Sequence, residues 1–296
     1  MTELVFDSKA SAEEVTQGLD LSGKNYVVTG CNSGLGYETC RVLGARGARV
    51  IALARTIAKA EAALDELSID GEAIACDLGS LASINAAVES IQSLGAIDAI
   101  IANAGVMALQ DLQKIEGLEA QFFVNHIGHF ALVTRLVDQL TADGRVVMLS
   151  SGAHRMAPEA GIEFDNLSGD KGYHPWTAYG QSKLANLLFA RSLAKRFEGS
   201  SRTANSVHPG VIDTNLGRHV PNKEAMYERL KPYMKTTAQG ASTQCLVATH
   251  PEFAQVSGAY FSDNKVVDPL HDKALDDELA ERLWSVSEEI VAQVSS

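Results

Sequence analysis

The 296-residue chain is poor in cysteine: Cys31, Cys40, Cys76 and Cys245 form no CxxC pair and no zinc-like spacing. That excludes a disulfide scaffold and reads as free thiols of a reducing, cytoplasmic compartment. Basic charge is also short. Lys and Arg total 25 against 37 Asp and Glu, a formal net charge of −12, which argues against a nucleic-acid binder relying on a general basic field and against an anionic membrane surface. No apolar run approaches the ~20 residues that span a bilayer. The richest, Ala96 to Leu109, is broken by Asp98 and Asn103. Met1 to Ala10 has neither a basic n-region nor an apolar h-region, so no signal peptide is expected. Repeats and low-complexity linkers are absent too.

What is present is a regular alternation. A short helix is predicted from Ser11, where Ser11-Ala12-Glu13-Glu14 reads as a capping box. Strands are predicted at Asn25 to Thr29, Ala48 to Ala54, Glu72 to Cys76, Ala99 to Ala102, Arg145 to Leu149, Thr203 to Val207 and Gly258 to Phe261. Between them, helical patterns cover Tyr37 to Arg46, Ile57 to Leu67, Ser80 to Leu94, Leu118 to Leu140, Thr177 to Phe197 and Ala238 to Thr249. Apolar strands alternating with helices mean an α/β fold: a Rossmann-type doubly wound, mostly parallel seven-stranded sheet with helices on both faces. In such sheets the ligand crevice lies at the carboxyl ends of the strands.

The first strand runs into Thr29-Gly30-Cys31-Asn32-Ser33-Gly34-Leu35-Gly36. Gly30, Gly34 and Gly36 permit a tight turn and let backbone approach a pyrophosphate at the positive end of the next helix. An ordinary β–α turn would also use glycine; the strand-then-helix context raises the value of the pattern. The second strand ends Ala52-Leu53-Ala54-Arg55. NAD sites usually place an acid there for the ribose 2′-hydroxyl. Here Ala54 stands in its place and Arg55 follows, and a guanidinium forks onto a 2′-phosphate, so NADP(H) is preferred over NAD(H).

Three further motifs complete a pattern: Ile101-Ala102-Asn103-Ala104-Gly105, Tyr179-Gly180-Gln181-Ser182-Lys183 and His208-Pro209-Gly210-Val211. With the glycine turn, their order resembles the classical short-chain dehydrogenase/reductase family over about Leu19 to Ser262. Leu21-Ser22-Gly23-Lys24, Ser150-Ser151-Gly152-Ala153-His154 and Ser182-Lys183-Leu184-Ala185-Asn186 are similar to its retinol-dehydrogenase and WW-domain-oxidoreductase branch. Ala102 departs from the family's usual NNAG.

The resemblance implies a catalytic set of Ser151, Tyr179, Lys183 and Asn125. Ser151 would polarise the substrate carbonyl, with Ser150 holding the loop. Asn125 would position a water in a proton relay to Lys183, which also binds the nicotinamide ribose. It further implies Ser33 and Leu35 at the phosphates, Asp77 and Leu78 at the adenine, and Asn103, Ala104 and Gly105 at its ribose. Pro209, Gly210, Val211 and Thr214 would shape the nicotinamide pocket. Relatives often dimerise through the helices of 118–140 and 177–197, so a homodimer is an expectation.

Tyr179 and Lys183 share a helix face, four residues apart. An ammonium at ~4 Å with an effective dielectric of about 20 favours the phenolate by roughly 4 kcal/mol. That is about three pKa units, enough to bring a tyrosine from about 10 to near 7. No metal is required. His126 and His129, three apart, read as a core or surface pair rather than ligands. The substrate is expected against Gly152 to Trp176 (with His154, Met156, Tyr173, Pro175 and Trp176) and Asp213 to Lys235 (with Leu216, Val220, Met226, Tyr227, Leu230, Tyr233 and Met234). Their content favours a small lipophilic carbonyl or alcohol.

Two other readings are weighed. A non-catalytic dinucleotide sensor or scaffold on this fold is disfavoured because Ser151, Tyr179, Lys183 and Asn125 are all kept. A nucleotide-sugar epimerase is disfavoured by the glycine spacing and the limited C-terminal tail. Length alone favours two domains at ~150 residues each. The motifs, spread from Gly30 to Thr214 through one sheet, favour one domain over 1–296. It carries an N-terminal helical extension (1–22), a substrate lid (about 211–236) and a C-terminal helix (about 272–293). Charge is concentrated at the ends: residues 1–20 hold five acids and one base, and residues 268–296 eight acids and two bases. The tail pattern Leu275, Leu279, Leu283, Val286 and Ile290 predicts one apolar helical face with its acids toward solvent.

Overall fold

The short apolar runs become strands in a computed structural model that describes residues 6–294. The strands are β1 (Asn25–Thr29), β2 (Arg49–Ala54), β3 (Gly71–Ala75), β4 (Ile97–Ala102), a hairpin of β5 (Lys114–Ile115) and β6 (Leu118–Glu119), β7 (Leu140–Leu149), β8 (Thr203–His208), β9 (Tyr260–Ser262) and β10 (Lys265–Val266). All but β5 and β6 join one sheet in the order β10-β9-β8-β7-β4-β1-β2-β3. Neighbours are parallel except β9 and β10. The sheet therefore has eight strands where seven were expected. The extra one is the two-residue return of a hairpin whose turn residues Asp263 and Asn264 both take positive φ, a conformation Asp and Asn tolerate.

The helices are α1 (Ala12–Val15), α2 (Gly34–Ala45), α3 (Ile57–Leu67), α4 (Leu81–Gln92), α5 (Ala120–Phe122), α6 (Gly128–Leu136), α7 (Pro175–Arg196), α8 (Lys223–Leu230), α9 (Thr237–Gly240), α10 (Ser242–Thr249) and α11 (Asp277–Val294). Alternate strand residues supply two cores. Val27, Ile51, Leu53 and Ile100 pack with α4, α6 and α7; Val28, Val50, Ala52 and Ile101 pack with α2, α3 and α10. Chain order reverses between β1 and β4. The switch point therefore lies where the glycine turn and Asn103 leave the sheet, which is the crevice position of such folds.

Several expected elements change. Of the expected 1–22 extension, residues 1–5 lie outside the described residues and α1 is its one helix. It is closed by the expected box, Glu14 N–H donating to Ser11 Oγ and Ser11 N–H to the Glu14 carboxylate. The continuous helix expected over Leu118 to Leu140 is split. A π-helical turn, Phe123–Ile127, separates α5 from α6, and Leu140 already belongs to β7. Regular pairing in β7 begins at Arg145, opposite Ala99, after a register shift that lets residues 141–144 bulge. Helix α7 starts two residues earlier than expected because Pro175 suits a first turn and the His174 ring accepts the Thr177 N–H.

Helix α11 lies across α6 and α7. Trp284 packs edge-on to Phe130 at 5.0 Å and against Phe189 at 5.5 Å, and the Arg196 guanidinium covers its ring at 3.6 Å. These are the two helices through which a homodimer was expected. Leu279, Leu283, Val286 and Ile290 turn to the core as expected. Leu275 does not: it precedes the helix and is exposed, and Trp284 supplies the main anchor instead. Among the described residues no helix is long and apolar enough to cross a membrane. The four cysteines are buried and free.

Candidate active site

The chain leaves β1 through Gly30, at φ +73°, and enters α2 at Gly34, at φ +54°. A Cβ on Gly36 would sit 2.2 Å from the Gly30 carbonyl oxygen, so only glycine lets the helix start this close to the turn. Ser33 stands at the N-cap of α2 without bonding its first N–H groups. Those donors stay available to an anion, as a pyrophosphate site needs. The turn is fastened to β4 through Thr29. Its hydroxyl accepts the N–H groups of Asn103 and Ala104, and the Asn103 amide donates to the Thr29 carbonyl at 2.8 Å. Ala102, where the family has its first Asn, is a buried strand residue.

A cavity of about 850 Å³ runs along the carboxyl ends of the strands. It falls within the roughly 300–1,000 Å³ of small-molecule sites. Of the residues expected at a dinucleotide, Gly30, Ser33, Gly34, Leu35, Arg55, Asp77, Leu78, Asn103, Ala104, Gly105, Tyr179, Lys183, Pro209, Gly210, Val211 and Thr214 all line it. Gly36 does not; it is the packing glycine beneath the turn. The residues fit a dinucleotide: a glycine cradle with uncapped helix N–H groups, and a cation, Arg55, at the end of β2.

At the other end stand Ser151, Tyr179 and Lys183. Ser151 follows β7, and its Oγ accepts the Ala153 N–H at 3.1 Å. The neighbouring Ser150 Oγ donates to the Lys183 carbonyl at 2.8 Å and ties this loop to α7. His154 is fully buried behind it. Its Nε2 accepts the Leu270 N–H at 2.7 Å, so Nδ1 carries the proton and donates to the Ser151 carbonyl at 2.6 Å. Lys183 Nζ lies 5.7 Å from the Tyr179 ring centroid and donates to the Leu149 carbonyl.

Asn125 sits in the π turn. Its side chain pairs twice with the Val106 backbone, accepting at 2.8 Å and donating at 2.9 Å, and donates to Ser182 Oγ. It does not line the cavity itself, but a Cβ on Gly105 would lie 2.9 Å from its Oδ1 and 3.6 Å from Lys183 Nζ. The bareness of Gly105 therefore keeps a gap between Asn125 and Lys183.

Electrostatics departs from the sequence expectation. Burial is the largest influence on both groups. It pushes the Tyr179 phenol up to about 12, with the Ser151 hydroxyl within reach and working against the rise. It pulls the Lys183 ammonium down to about 8. A low-dielectric pocket penalises phenolate and ammonium alike, so the tyrosine is not drawn to neutrality by its lysine alone. The expected histidine pair is buried and engaged elsewhere. His126 meets Ser287 of α11, and His129 bridges the Thr29 hydroxyl and the Asn125 carbonyl. Among the described residues no group of three or more His, Cys, Asp or Glu is arranged to hold a metal.

Of the residues expected near a substrate, Met156, Trp176, Leu216, Met226, Tyr227 and Leu230 line the cavity. Tyr173 instead braces the fold, its hydroxyl donating to the Leu109 carbonyl, and Tyr233 is exposed. Sequence reasoning missed Arg218, His219, His208 and Leu270 as lining residues. His208 had a signal, since it ends β8 directly before Pro209. The others come from segments with no motif.

A doubly wound sheet with a glycine cradle at its switch point and a Ser–Tyr–Lys set beside it defines a nicotinamide-dependent oxidoreductase. The sequence profile described as short chain dehydrogenase matches residues 24–225. The chain belongs to the short-chain dehydrogenase family, whose members bind a nicotinamide dinucleotide and act on CH–OH or carbonyl groups. It is 38% identical to the short-chain dehydrogenase TIC 32 B, chloroplastic, of Brassica napus, over 97% of this chain and 94% of that protein. It is 39% identical to retinol dehydrogenase 12 of Mus musculus, over 93% of this chain and 89% of that one. Among solved structures, a protein from Mycobacterium Paratuberculosis superposes with a TM-score of 0.77 at 32% identity, covering 94% and 97% of the two chains. A short-chain dehydrogenase from Burkholderia cenocepacia, solved with NADP, shares the fold at a TM-score of 0.68 and 22% identity, covering 83% and 99%.

Proposed function

We propose that the protein is an NADP(H)-dependent oxidoreductase that interconverts a small lipophilic ketone or aldehyde with its alcohol. The observation that carries this is one cavity with Arg55 at one end and Ser151, Tyr179 and Lys183 at the other. A nicotinamide held beside Lys183 would supply or accept the hydride. Ser151 Oγ hydrogen-bonds the carbonyl oxygen as negative charge develops on it. Tyr179 holds the proton that oxygen needs. With its phenol pushed up to about 12 it is neutral at pH 7, the form that donates during carbonyl reduction. Lys183 steadies the phenolate left behind, and Asn125 faces it across the gap kept by Gly105. Met226, Tyr227, Leu230 and Trp176 give the substrate end its apolar wall.

The test is NADPH and NADH consumption with a panel of aryl ketones, medium-chain aldehydes, steroids and retinoids. Turnover with NADPH is expected on apolar carbonyls and is expected to fall by at least ~10²-fold in Tyr179→Phe. Intact turnover in that variant would remove Tyr179 as proton donor.

A further inference from the structure

The cavity collects positive charge at one end in a protein of net charge −12. Arg55 and Lys59 come from the β2 end and the first turn of α3. Arg218 comes from a 3₁₀ turn, Asn215–His219, in the segment after β8. Among the described residues lining the cavity, Asp77 is the one carboxylate, and it accepts the Gly79 N–H in its own loop. Arg218 donates to the Asn215 carbonyl at 3.0 Å through one nitrogen, leaving the rest of its fork unused. Burial, and after it the Arg55 charge, hold the Arg218 pKa below the ordinary guanidinium value. Like charges lining one cavity repel, and an anion between them turns the repulsion into attraction.

The same segment reaches the reacting end. Thr214, which caps the 3₁₀ turn by accepting the Leu216 N–H, lies against Gly34, 3.2 Å from where a Cβ would be. The Tyr227 hydroxyl covers Gly217, and Tyr227 is close enough to Tyr179 to help raise its pKa. One run of chain therefore carries a cation to Arg55 and an aromatic wall to Tyr179.

We propose that Arg218 is the second half of a 2′-phosphate clamp with Arg55, and that an adenosine 2′-phosphate held between them pins residues 213–235 over the substrate end. This rests on the NADP(H) reading above. A phosphorylated dinucleotide then does two things: it fills the cation pair, and it fixes Tyr227, Met226 and Leu230 as a wall.

The experiment is calorimetric titration of the 296-residue chain with adenosine 2′,5′-bisphosphate and with 5′-AMP. Hydrogen exchange of residues 213–235 is followed alongside. The wild type is expected to prefer the bisphosphate and to slow exchange in the segment when it binds. Loss of one charge-assisted contact in Arg218→Ala is expected to weaken the bisphosphate about tenfold and 5′-AMP less than about twofold. In that variant the exchange protection disappears, while Arg218→Lys recovers part of both. Unchanged bisphosphate affinity in Arg218→Ala, with a loss in Arg55→Ala, overturns the clamp and leaves the NADP(H) reading intact. Equal affinity of the wild type for both ligands overturns that reading and the clamp with it. Equal weakening of both ligands in Arg218→Ala assigns Arg218 to the fold of the segment and overturns its phosphate role. Weakened bisphosphate with protection retained overturns the pinning.

Discussion

Lys183→Met should stabilise the protein at neutral pH while removing its activity. Lys183 is buried, and its ammonium is pulled from 10.5 down to about 8 in the folded chain. Folding therefore carries a charged group into a place that disfavours the charge. At pH 7 the lysine is protonated in both states, and the penalty is about 3 kcal/mol at 1.36 kcal/mol per pKa unit. It is complete below about pH 8, falls as the pH rises through 8 to 10.5, and is gone above 10.5, where the group is neutral in both states. At pH 9.5 roughly 1.5 kcal/mol remains. Tyr179 is kept in both proteins, and its raised pKa costs stability only above its ordinary value of about 10, so it does not blur the comparison at pH 7.0 and 9.5. Methionine matches the stem in length. The hydrogen bond it forfeits, worth about 1 kcal/mol, is to the Leu149 carbonyl, which keeps the Asn186 amide as a donor at 3.0 Å. The net expectation is a gain of about 2 kcal/mol at pH 7 that shrinks to near zero by pH 9.5. Urea unfolding of both proteins at pH 7.0 and 9.5 reads it directly. A variant less stable than the wild type at pH 7, or a difference independent of pH, would refute the reasoning.

Other perturbations separate the cradle from the frame. Gly36→Ala places a methyl 2.2 Å from the Gly30 carbonyl oxygen and 2.6 Å from the Asn103 amide nitrogen, both fixed parts of the turn. Overpacking of that kind costs about 1–3 kcal/mol, and dinucleotide binding, followed by fluorescence of the reduced nicotinamide, should fall with it. Gly95→Ala is the control, because nothing lies within 4 Å of its Cβ position and its φ of +98° leaves only backbone strain. Trp284→Ala removes the ring that packs against both Phe130 and Phe189. A loss of about 3 kcal/mol in urea unfolding is expected, together with concentration-dependent self-association in sedimentation as the apolar face of α6 and α7 is uncovered. A wild type that already self-associates through α6 and α7 would contradict the covering role of α11.

The strand ends were legible because each functional turn follows an apolar run: Gly30 after β1, Asn103 after β4, Ser151 after β7 and Pro209 after β8. In a parallel sheet that order alone puts them on one edge. The π turn at Asn125 was not legible, since a single extra residue inside a helix leaves the apolar pattern of Phe122, Phe123, Ile127 and Phe130 nearly undisturbed. Helix α8 was missed because none of its residues is buried, so no periodic face marks it. The electrostatics of Tyr179 misled for a related reason. Spacing gives the neighbour, Lys183, but not the depth at which both are buried, and burial is the larger influence. Arg218 had no local signal at all, because its meaning depends on Arg55, more than 160 residues earlier in the chain.

The acidic tail shows how composition changes its meaning once placed. Its acids were expected to face solvent. Two of them instead meet the basic last turns of α7: Asp277 pairs with Arg191 and with Lys195 at 2.9 Å, and Glu281 forks onto Arg196 through two bonds of 2.9 Å. Each pair is half exposed and contributes little stability alone. Their geometry does more than their energy. Arg196, held by Glu281, lies over Trp284, so the ion pair sets the ring that packs against both Phe130 and Phe189. The carboxylates of α11 thus fix the register in which its apolar face closes α7, the helix that carries Tyr179 and Lys183. Among the described residues lining the cavity with Arg55, Lys59 and Arg218, Asp77 is the one carboxylate, and that imbalance is what the proposed phosphate clamp rests on.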